Sequence, residues 1–481
     1  MPYLHRTDTG EPLVLPRPKQ IRFSPDSAPF RINASTRIVR IDESAGGRKA
    51  AALLQAAINE AFGLALRNVS AMGAVDREVA DAAIYVGLGE SFPRQARVIT
   101  PDKPEGYGVM VDRACVQLAG RDEAGILWAA QTLIQLLNKD ANGPFIPVTS
   151  VQDWPTLSLR AVHLFHGRNA LPFHQKLIDR VLSRFKMNAV FIQAEQIRWD
   201  ADPRVAPDWA GHKADLASEI TFARMRGMVV YPLLESYGHM EWLFSKGRNQ
   251  SFAEDPETPY AVSFTNPKAV AYLDRFNAEA DTLFGAPGFH VGLDEVTMRG
   301  RFPFASGPRR FSDLFVAGAK HWHTFFARRN KQLWMWADMA IHPSEVAPCF
   351  GTAPSPEEAR RVRAGLPKDI VMVDWQYSAH PRYPSLDLLK KEGFANRVAA
   401  TWHDREGIQN FARAAAQNQA MGAMQTTWAG YESSEKVLST SDRKQFTAMV
   451  VAADYFWNGG DGPPPAHLPY DAEVVFARQW Q

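Results

Sequence analysis

The pattern of hydrophobic and polar positions divides the chain into two parts. In the first part, short apolar runs typical of strands surround two longer runs with helical spacing. The strand-like runs lie at 36–41, 83–88, 106–111 and 115–120. The helical runs begin at Lys49 and Ala124, and the second has apolar residues on one face, at Ile126, Ala130, Leu133 and Leu137. The pattern predicts a small, non-catalytic α/β domain over residues 1–152.

From Leu157 onward, β-rich runs alternate regularly with amphipathic helical runs. The β-rich runs are LRAVHLF, NAVFIQA, MVVYPLL, FHVGLDE, LWMWADM, IVMVDW, VAATW and GAMQTTW. They are apolar on both faces, as parallel strands surrounded by helices must be. About eight strand–helix units close a (β/α)8 barrel. We therefore expect an α/β protein in which a catalytic TIM barrel at 153–481 follows the small domain.

Composition and charge narrow the function classes. The 481 residues accommodate a barrel of about 250 residues and a companion domain. The net charge of +2 and the lack of a long apolar stretch argue against nucleic-acid and membrane partners. The two cysteines are too few for a disulfide scaffold or a thiolate metal cluster. The first residues lack the apolar core of a secretory signal, which favours the cytoplasm; the oligomeric state is not predicted.

Two adjacent acidic residues, the strongest candidates for catalysis, lie at the end of the fourth predicted barrel strand, in GFHVGLDEV at 288–296. Strand alternation places Asp294 on the inner face, and the turn into the next loop lets Glu295 face the same cleft. Gly292 is expected to leave room for a substrate group. Glycoside cleavage needs a proton for the leaving oxygen and a negative charge near the anomeric carbon, and neighbouring carboxyls can divide these tasks. A surface acidic pair is the alternative interpretation.

Other strand ends carry residues suited to the same cleft. Glu235 and His239 follow the third predicted strand. Each of the next four strands ends near a tryptophan: Trp334 or Trp336, then Trp375, Trp402 and Trp428. One such tryptophan is more often part of the core, but four in succession favour the wall of a sugar pocket.

These motifs resemble those of glycoside hydrolase family 20, the β-N-acetylhexosaminidases. HVGLDEV resembles the family's H-[IV]-G-G-D-E-[VIL] signature, and RAVHLFHGRN and PLLESYGHM resemble its RG-x-x-LD-x-x-RH and PEID-x-PGH segments. EGYGVMVDRACVQLAGRDEAGILWAAQTLIQLL is similar to the end of the domain that precedes the family's barrel. The resemblance, which spans residues 21–428, implies an exo-acting, retaining hydrolase of terminal β-linked N-acetylhexosamine. In that mechanism the substrate's own acetamido oxygen attacks C1 and forms an oxazolinium ion.

The resemblance also implies residue roles. Asp294 would orient the acetamido group, and Glu295 would protonate the leaving oxygen and then activate water. Arg160 would bind hydroxyls of the terminal sugar. His239 would belong to a polar network near Glu295, and Glu235 would bind substrate from the same segment. The ring and acetamido methyl would be enclosed by Trp336, Trp375 and Trp428. The resemblance implies no metal or organic cofactor.

The sequence also departs from the family pattern. Leu293 replaces the second signature glycine, Phe165 replaces an aspartate, and Glu195 is the candidate for a lost acid after the second strand. Expected stand-ins for further sugar-binding residues are Trp402, Asp404 and, beside Gly430, Glu432. These changes concern sugar recognition, so GlcNAc and GalNAc both remain open as substrates. Two alternatives also remain open: a glycosidase of this fold acting on a modified amino sugar, and a catalytically inactive carbohydrate-binding protein.

Overall fold

The computed structural model describes residues 5–6, 12–71, 82–94, 96–431 and 434–481. Its first part is built on a seven-stranded mixed sheet with two small sheets beside it. The strands are β1 His5–Arg6, β2 Pro12–Leu13, β3 Gln20–Phe23, β4 Phe30–Arg31, β5 Arg37–Arg40, β6 Arg67–Ser70, β7 Ala83–Leu88, β8 Tyr107–Val111, β9 Cys115–Gly120, β10 Asn138–Asp140, β11 Gly143–Ile146 and β12 Thr149–Asp153. The order in the large sheet is β3-β12-β8-β9-β7-β5-β6.

Two helices, α1 Ala45–Phe62 and α2 Glu123–Leu136, pack beside each other in this domain. Each begins at a residue whose side chain accepts a hydrogen bond from the first turn, Ser44 for α1 and Asp122 for α2. The apolar face of α2 predicted from the sequence is fully buried, as at Ile126 and Leu133. The predicted small α/β domain is therefore confirmed.

The second part is a closed barrel of eight parallel strands, in which the last strand pairs with the first. The strands are β13 Leu159–Phe165, β14 Ala189–Gln193, β15 Val229–Leu233, β16 Gly288–His290, β17 Gln332–Trp336, β18 Val371–Trp375, β19 Arg397–Thr401 and β20 Gly422–Gln425. The helices are α3 Ala170–Leu177, α4 Lys213–Met225, α5 Pro267–Phe284, α6 Phe311–Ala327, α7 Pro343–Val346, α8 Pro356–Gly365, α9 Pro384–Lys391, α10 Arg405–Asn418, α11 Arg443–Asn458 and α12 Ala472–Trp480. Each of the eight predicted strand runs overlaps one barrel strand, which confirms the TIM barrel.

Large side chains fill the barrel interior, so it is a packed core with its open cleft at the carboxyl ends of the strands. The inward side chains of β14, β15 and β17 include Phe191, Leu233 and Trp334, which belong to one buried cluster. Trp334 packs against Phe191 deep in this interior and is part of the core. Among the described helices, none is both long enough and apolar enough to cross a membrane.

The two parts meet across a buried polar seam at the amino-terminal end of the barrel strands. Arg160 is fully buried there, and its Nη2 donates to Glu105 Oε2 of the first domain at 2.6 Å. Its Nε donates to the carbonyl of Lys186, and its guanidinium lies 4.9 Å from the ring centroid of Trp457. The expectation that Arg160 binds sugar is therefore wrong: the side chain points out of the barrel, at the end opposite the cleft.

Candidate active site

The acidic pair lies where the short strand β16 gives way to an irregular turn. Three residues of this turn have left-handed backbone, Gly292 at φ 69°, Leu293 at φ 72° and Glu295 at φ 47°. This conformation breaks the strand alternation, so the carboxylates of Asp294 and Glu295 converge on one imidazole. His239 Nε2 lies 3.6 Å from Asp294 Oδ2 and 3.2 Å from Glu295 Oε2. Both carboxylates are partly open to solvent, with side-chain exposures of 12% for Asp294 and 21% for Glu295.

The backbone of Glu295 is clamped from two sides. Its N–H donates to Asp338 Oδ2 at 3.0 Å, and its carbonyl accepts from the Tyr260 hydroxyl at 3.2 Å. The Thr352 hydroxyl donates to the same Asp338 oxygen. Burial, followed by the charge of Asp294, raises the pKa of Asp338 to about 7. The sequence analysis missed Asp338, although its place two residues after Trp336, at a strand end, was a usable signal.

Glu235 occupies the space beneath the acidic pair. Its carboxyl lies directly over Gly292, where an added Cβ would come within 1.7 Å of Glu235 Oε2. Its backbone N–H donates to Glu195 Oε1 at 2.6 Å, which ties the ends of β14 and β15 together. The expectation that Gly292 leaves room for a substrate group is therefore wrong, because a protein carboxyl fills that space.

Replacing Gly292 by alanine should destabilise the protein by about 1 to 3 kcal/mol, because the new methyl group displaces Glu235 and overpacks the site. Gly285→Ala is the matched control: Gly285 also has left-handed backbone, at φ 52°, but a Cβ added there would meet nothing within 4 Å. Both variants place an alanine on left-handed backbone and therefore incur a similar strain. The difference between their free energies of unfolding in urea thus measures the cost of the clash with Glu235. Equal losses in the two variants would contradict this packing argument.

The charges around the pair are unequal. Burial lowers the pKa of His239, but the charge of Asp294 and the hydrogen bond to Glu295 outweigh it and raise the pKa to about 9, so the imidazole is protonated at neutral pH. Burial, together with the charges of Asp294 and Glu195, raises the pKa of Glu235 well above its usual value. These causes favour the protonated form of Glu235, whose carboxyl hydrogen-bonds to Asp294. The pKa of Asp294 is also raised, by burial first and then by Glu295, while His239 opposes the shift.

A cavity of about 270 Å³ opens beside Asp294. Its lining residues are Phe165, Gln193, Glu195, Gln196, Glu235, His239, Glu241, Trp242, Asp294, Trp428 and Tyr431. The Tyr431 hydroxyl donates to Glu195 Oε2, and burial raises the pKa of Glu195 to about 7. The sequence analysis did not identify Gln193, Gln196 or Tyr431, because single polar residues at strand ends carry no pattern that marks them.

Of the expected tryptophans, Trp428 lines this cavity directly. Trp336 is only 1% exposed and packs between His290 and Trp428, one layer deeper. Trp375 and Trp402 lie further along the cleft, and the ring of Tyr377 packs against both, with centroid separations of 5.0 and 5.6 Å.

Tyr377 and Gln445 hold these tryptophans in place. The Trp428 indole N–H donates to the Tyr377 hydroxyl at 2.9 Å. Gln445 Oε1 accepts from the Trp402 indole at 2.8 Å and from the Trp428 backbone at 2.6 Å. The sequence indicated the tryptophans but neither of the polar residues that fix them.

Two expected sugar-binding acids are not part of the described site. Asp404 begins helix α10, where its Oδ1 accepts from the backbone N–H of Gly407 at 3.0 Å. The expectation for Asp404 is wrong, because its carboxylate caps a helix and does not line the cavity. Glu432 lies outside the described residues.

A second group of potential metal ligands lies away from the acidic pair. Glu219 accepts from His166 Nδ1 at 2.5 Å and from His174 Nδ1 at 2.9 Å, and all three side chains are fully buried. Burial raises the pKa of Glu219, but the two histidines outweigh it and lower the pKa to about 2. The charged carboxylate thus joins the end of β13 to α3 and α4, as a structural contact.

Comparisons with known proteins agree with this architecture. Residues 11–154 match the family model described as glycosyl hydrolase family 20, domain 2. Among solved structures, the chain is similar to a β-N-acetylhexosaminidase from Bacteroides fragilis, with 16% identity and a TM-score of 0.70 over 97% of this chain and 95% of that one.

Two further structures show the same two-part fold. A family 20 β-N-acetylhexosaminidase from Streptomyces coelicolor has 18% identity and a TM-score of 0.68, over 97% of this chain and 95% of that one. A family 20 exo-β-N-acetylglucosaminidase from Vibrio harveyi, solved with N-acetylglucosamine, has 15% identity and a TM-score of 0.70, over 97% and 75%. The resemblance inferred from the sequence motifs is confirmed.

Proposed function

We propose that this chain is a divergent member of glycoside hydrolase family 20, an exo-acting, retaining glycosidase that removes terminal β-linked N-acetylhexosamine. One observation carries the proposal: Asp294 and Glu295 both contact His239 at the open end of the fourth barrel strand, beside a cavity walled by Trp428. The hexosaminidases with the same fold support the choice of sugar.

The proposed reaction uses the substrate's acetamido group as the nucleophile. Asp294 accepts the acetamido N–H, aligns the carbonyl oxygen with C1 and balances the positive charge of the oxazolinium ion. Glu295 gives its proton to the glycosidic oxygen as the C1–O bond breaks. In the second half of the reaction, Glu295 takes a proton from water as the water attacks C1. The oxazolinium ring opens, and the product retains the β configuration.

The site is organised to keep these two tasks separate. The proton on Glu235 and the positive charge of His239 both favour the charged form of Asp294. Glu295 is the more exposed carboxylate, and the contacts of its backbone to Asp338 and Tyr260 fix its position. Sugar hydroxyls would be read by Gln193, Gln196 and the Glu195–Tyr431 pair, which line the same cavity.

Hydrolysis of aryl glycosides tests the proposal. Release of p-nitrophenol from 2-acetamido β-glucosides and β-galactosides should exceed release from the matching 2-hydroxy glycosides by at least about 10³, because only the former carry the nucleophile. A thiazoline that mimics the oxazoline should inhibit competitively. Equal rates for the two substrate classes would contradict the participation of the acetamido group, and binding of sugars without hydrolysis would favour a carbohydrate-binding protein.

A specific observation also favours a second candidate, a glycosidase for an amino sugar with a free amine. Four carboxyls line the cavity, from Glu195, Glu235, Glu241 and Asp294, with His239 as the one cationic side chain among the described lining residues. An ammonium group at C2 would find acceptors there. Faster hydrolysis of the 2-amino aryl glycoside than of its 2-acetamido counterpart would select this candidate.

A further inference from the structure

The three side chains that meet at the acidic pair are spaced as the ligands of a metal ion are. His239 Nε2 lies 3.6 Å from Asp294 Oδ2 and 3.2 Å from Glu295 Oε2, and the three donor atoms all lie within 4.8 Å of one another. Nitrogen and oxygen ligands lie about 2.1 Å from Zn²⁺, so two corners of a tetrahedral site are about 3.4 Å apart. Both separations from the imidazole are close to that value, so an ion fits between the imidazole and the carboxylates after small side-chain shifts.

The backbone that carries these donors is held in place. His239 and Glu295 both have left-handed backbone, at φ 51° and φ 47°. The Tyr260 hydroxyl donates to the Glu295 carbonyl at 3.2 Å, and the Tyr260 ring packs against the imidazole with centroids 5.2 Å apart. Asp338 accepts from the Glu295 N–H at 3.0 Å. Donors fixed in this way lose little conformational entropy when an ion binds.

One side of the donor group is open. His239 and Asp294 line the cavity of about 270 Å³, and all three donor side chains are partly exposed. An ion can therefore enter from solvent and complete its coordination with water from the cavity. Three protein ligands with a fourth position left to water form an open zinc site, whereas structural zinc sites are closed by four protein ligands.

The buried group of His166, His174 and Glu219 does not share this geometry. Its imidazole nitrogens lie 2.5 and 2.9 Å from the carboxylate oxygens, well below the separation of about 3.4 Å between tetrahedral ligands. All three side chains are fully buried. Shared protons account for these short contacts, so the group at the acidic pair is the one suited to an ion.

We propose that His239, Asp294 and Glu295 form an inhibitory site for Zn²⁺. An imidazole with two carboxylates suits zinc, whereas Mg²⁺ prefers octahedral oxygen ligands and retains its water. On binding, Zn²⁺ replaces the proton on His239 Nε2, and this proton passes to solvent. The binding of zinc does not depend on the proposed function. Inhibition does rest on it, because the bound ion occupies both carboxylates assigned to the reaction.

Calorimetry on chelator-treated protein tests the site. The unmodified protein should bind about one Zn²⁺ per chain at the open site, and Mg²⁺ in excess should not compete. His239→Gln removes the nitrogen ligand and should weaken zinc binding at least about tenfold, since even the loss of an outer-shell partner costs that much. His323→Gln is the matched control, because His323 contacts only one carboxylate among the described residues, that of Asp369 at 2.9 Å, and should bind zinc as the unmodified protein does.

Anomalous diffraction at the zinc edge provides a second measurement, on the unmodified protein, and should place the ion between the three side chains. An ion between His166 and His174, equal binding by His239→Gln and the unmodified protein, or no zinc binding at all overturns the site. Melting curves check that both variants are folded.

Hydrolysis of the 2-acetamido aryl glycoside separates the site from the proposed function. Zinc should inhibit competitively, because the ion and the sugar occupy the same cleft. Hydrolysis that continues unchanged at saturating zinc overturns the inhibitory role. If zinc binding depends on His239 and the zinc-free protein hydrolyses none of the substrates, the glycosidase assignment fails and the metal site stands.

Discussion

Glu295→Gln should lower kcat for N-acetylhexosamine disaccharides by about 10³, with little change in KM. The reason is that proton donation by a positioned acid contributes roughly 10² to 10⁴ to such reactions, and glutamine keeps the shape of the side chain without its proton. The loss should be smaller for aryl glycosides with acidic leaving groups in the first half-reaction, because a good leaving group departs without protonation. Steady-state rates for a series of leaving groups provide the measurement.

Glu357→Gln is the control for this experiment. Glu357 does not line the cavity beside Asp294; its exposed carboxylate pairs with Arg361 on helix α8 at 2.6 Å and plays no part in the proposed reaction. Its rates should stay within about twofold of the unmodified protein, as for a surface ion pair. A Glu295→Gln variant that retains full activity on the disaccharide would remove Glu295 from the mechanism.

Asp294→Asn should lower kcat/KM for 2-acetamido substrates by roughly 10² to 10³, the range for removing one electrostatic group from the transition state. Asparagine is nearly isosteric, but it cannot balance an oxazolinium charge. It also deprives His239 of a Coulombic partner at 3.6 Å. The specific readout is the thiazoline inhibitor, whose affinity should fall in parallel with kcat/KM, since both report on the same cationic ring.

Glu235→Gln is the matched comparison for Asp294→Asn. Glu235 is buried beside Asp294, and its raised pKa favours the neutral carboxyl, which glutamine matches in charge and in having a hydrogen-bond donor. Its effect on kcat/KM should be at least tenfold smaller than that of Asp294→Asn. Equal losses would mean that Glu235 carries the negative charge and that the proton lies on Asp294.

The barrel was predictable because its periodicity is strong. Each strand is apolar on both faces, and each helix between strands has one apolar face, so strand number and order could be read along the chain. Short strands such as β4, β10 and β11 were not predicted, because two to four residues without alternation give no periodic signal. The left-handed turn after β16 was also not predicted: Leu293 shows no preference for positive φ, so the packing around it imposes that conformation.

The candidate site was predictable for reactive residues that lie directly after a barrel strand. It was not predictable for residues whose role depends on the direction in which the side chain points. Asp294, Glu295, His239 and Trp428 lie together, as their positions at the ends of barrel strands implied. Arg160 matched a motif, but it lies at the start of its strand. Its guanidinium forms an ion pair with Glu105 of the small domain. Asp404 precedes a helix by one residue, a position that favours capping, and this local preference was the signal that the motif comparison overlooked.

The buried seam around Arg160 has a consequence for dissecting the molecule. Besides Glu105, the small domain supplies the ring of Trp128 near the guanidinium, and Asp153 accepts from the indole of Trp457 at 3.0 Å. In a barrel expressed alone, the guanidinium of Arg160 would lack its counter-ion and the indole N–H of Trp457 would lack its hydrogen-bond acceptor. Swapping the small domain for a homologous one would therefore require grafting its acid and aromatic residues as a set, and the two halves should melt in a single transition.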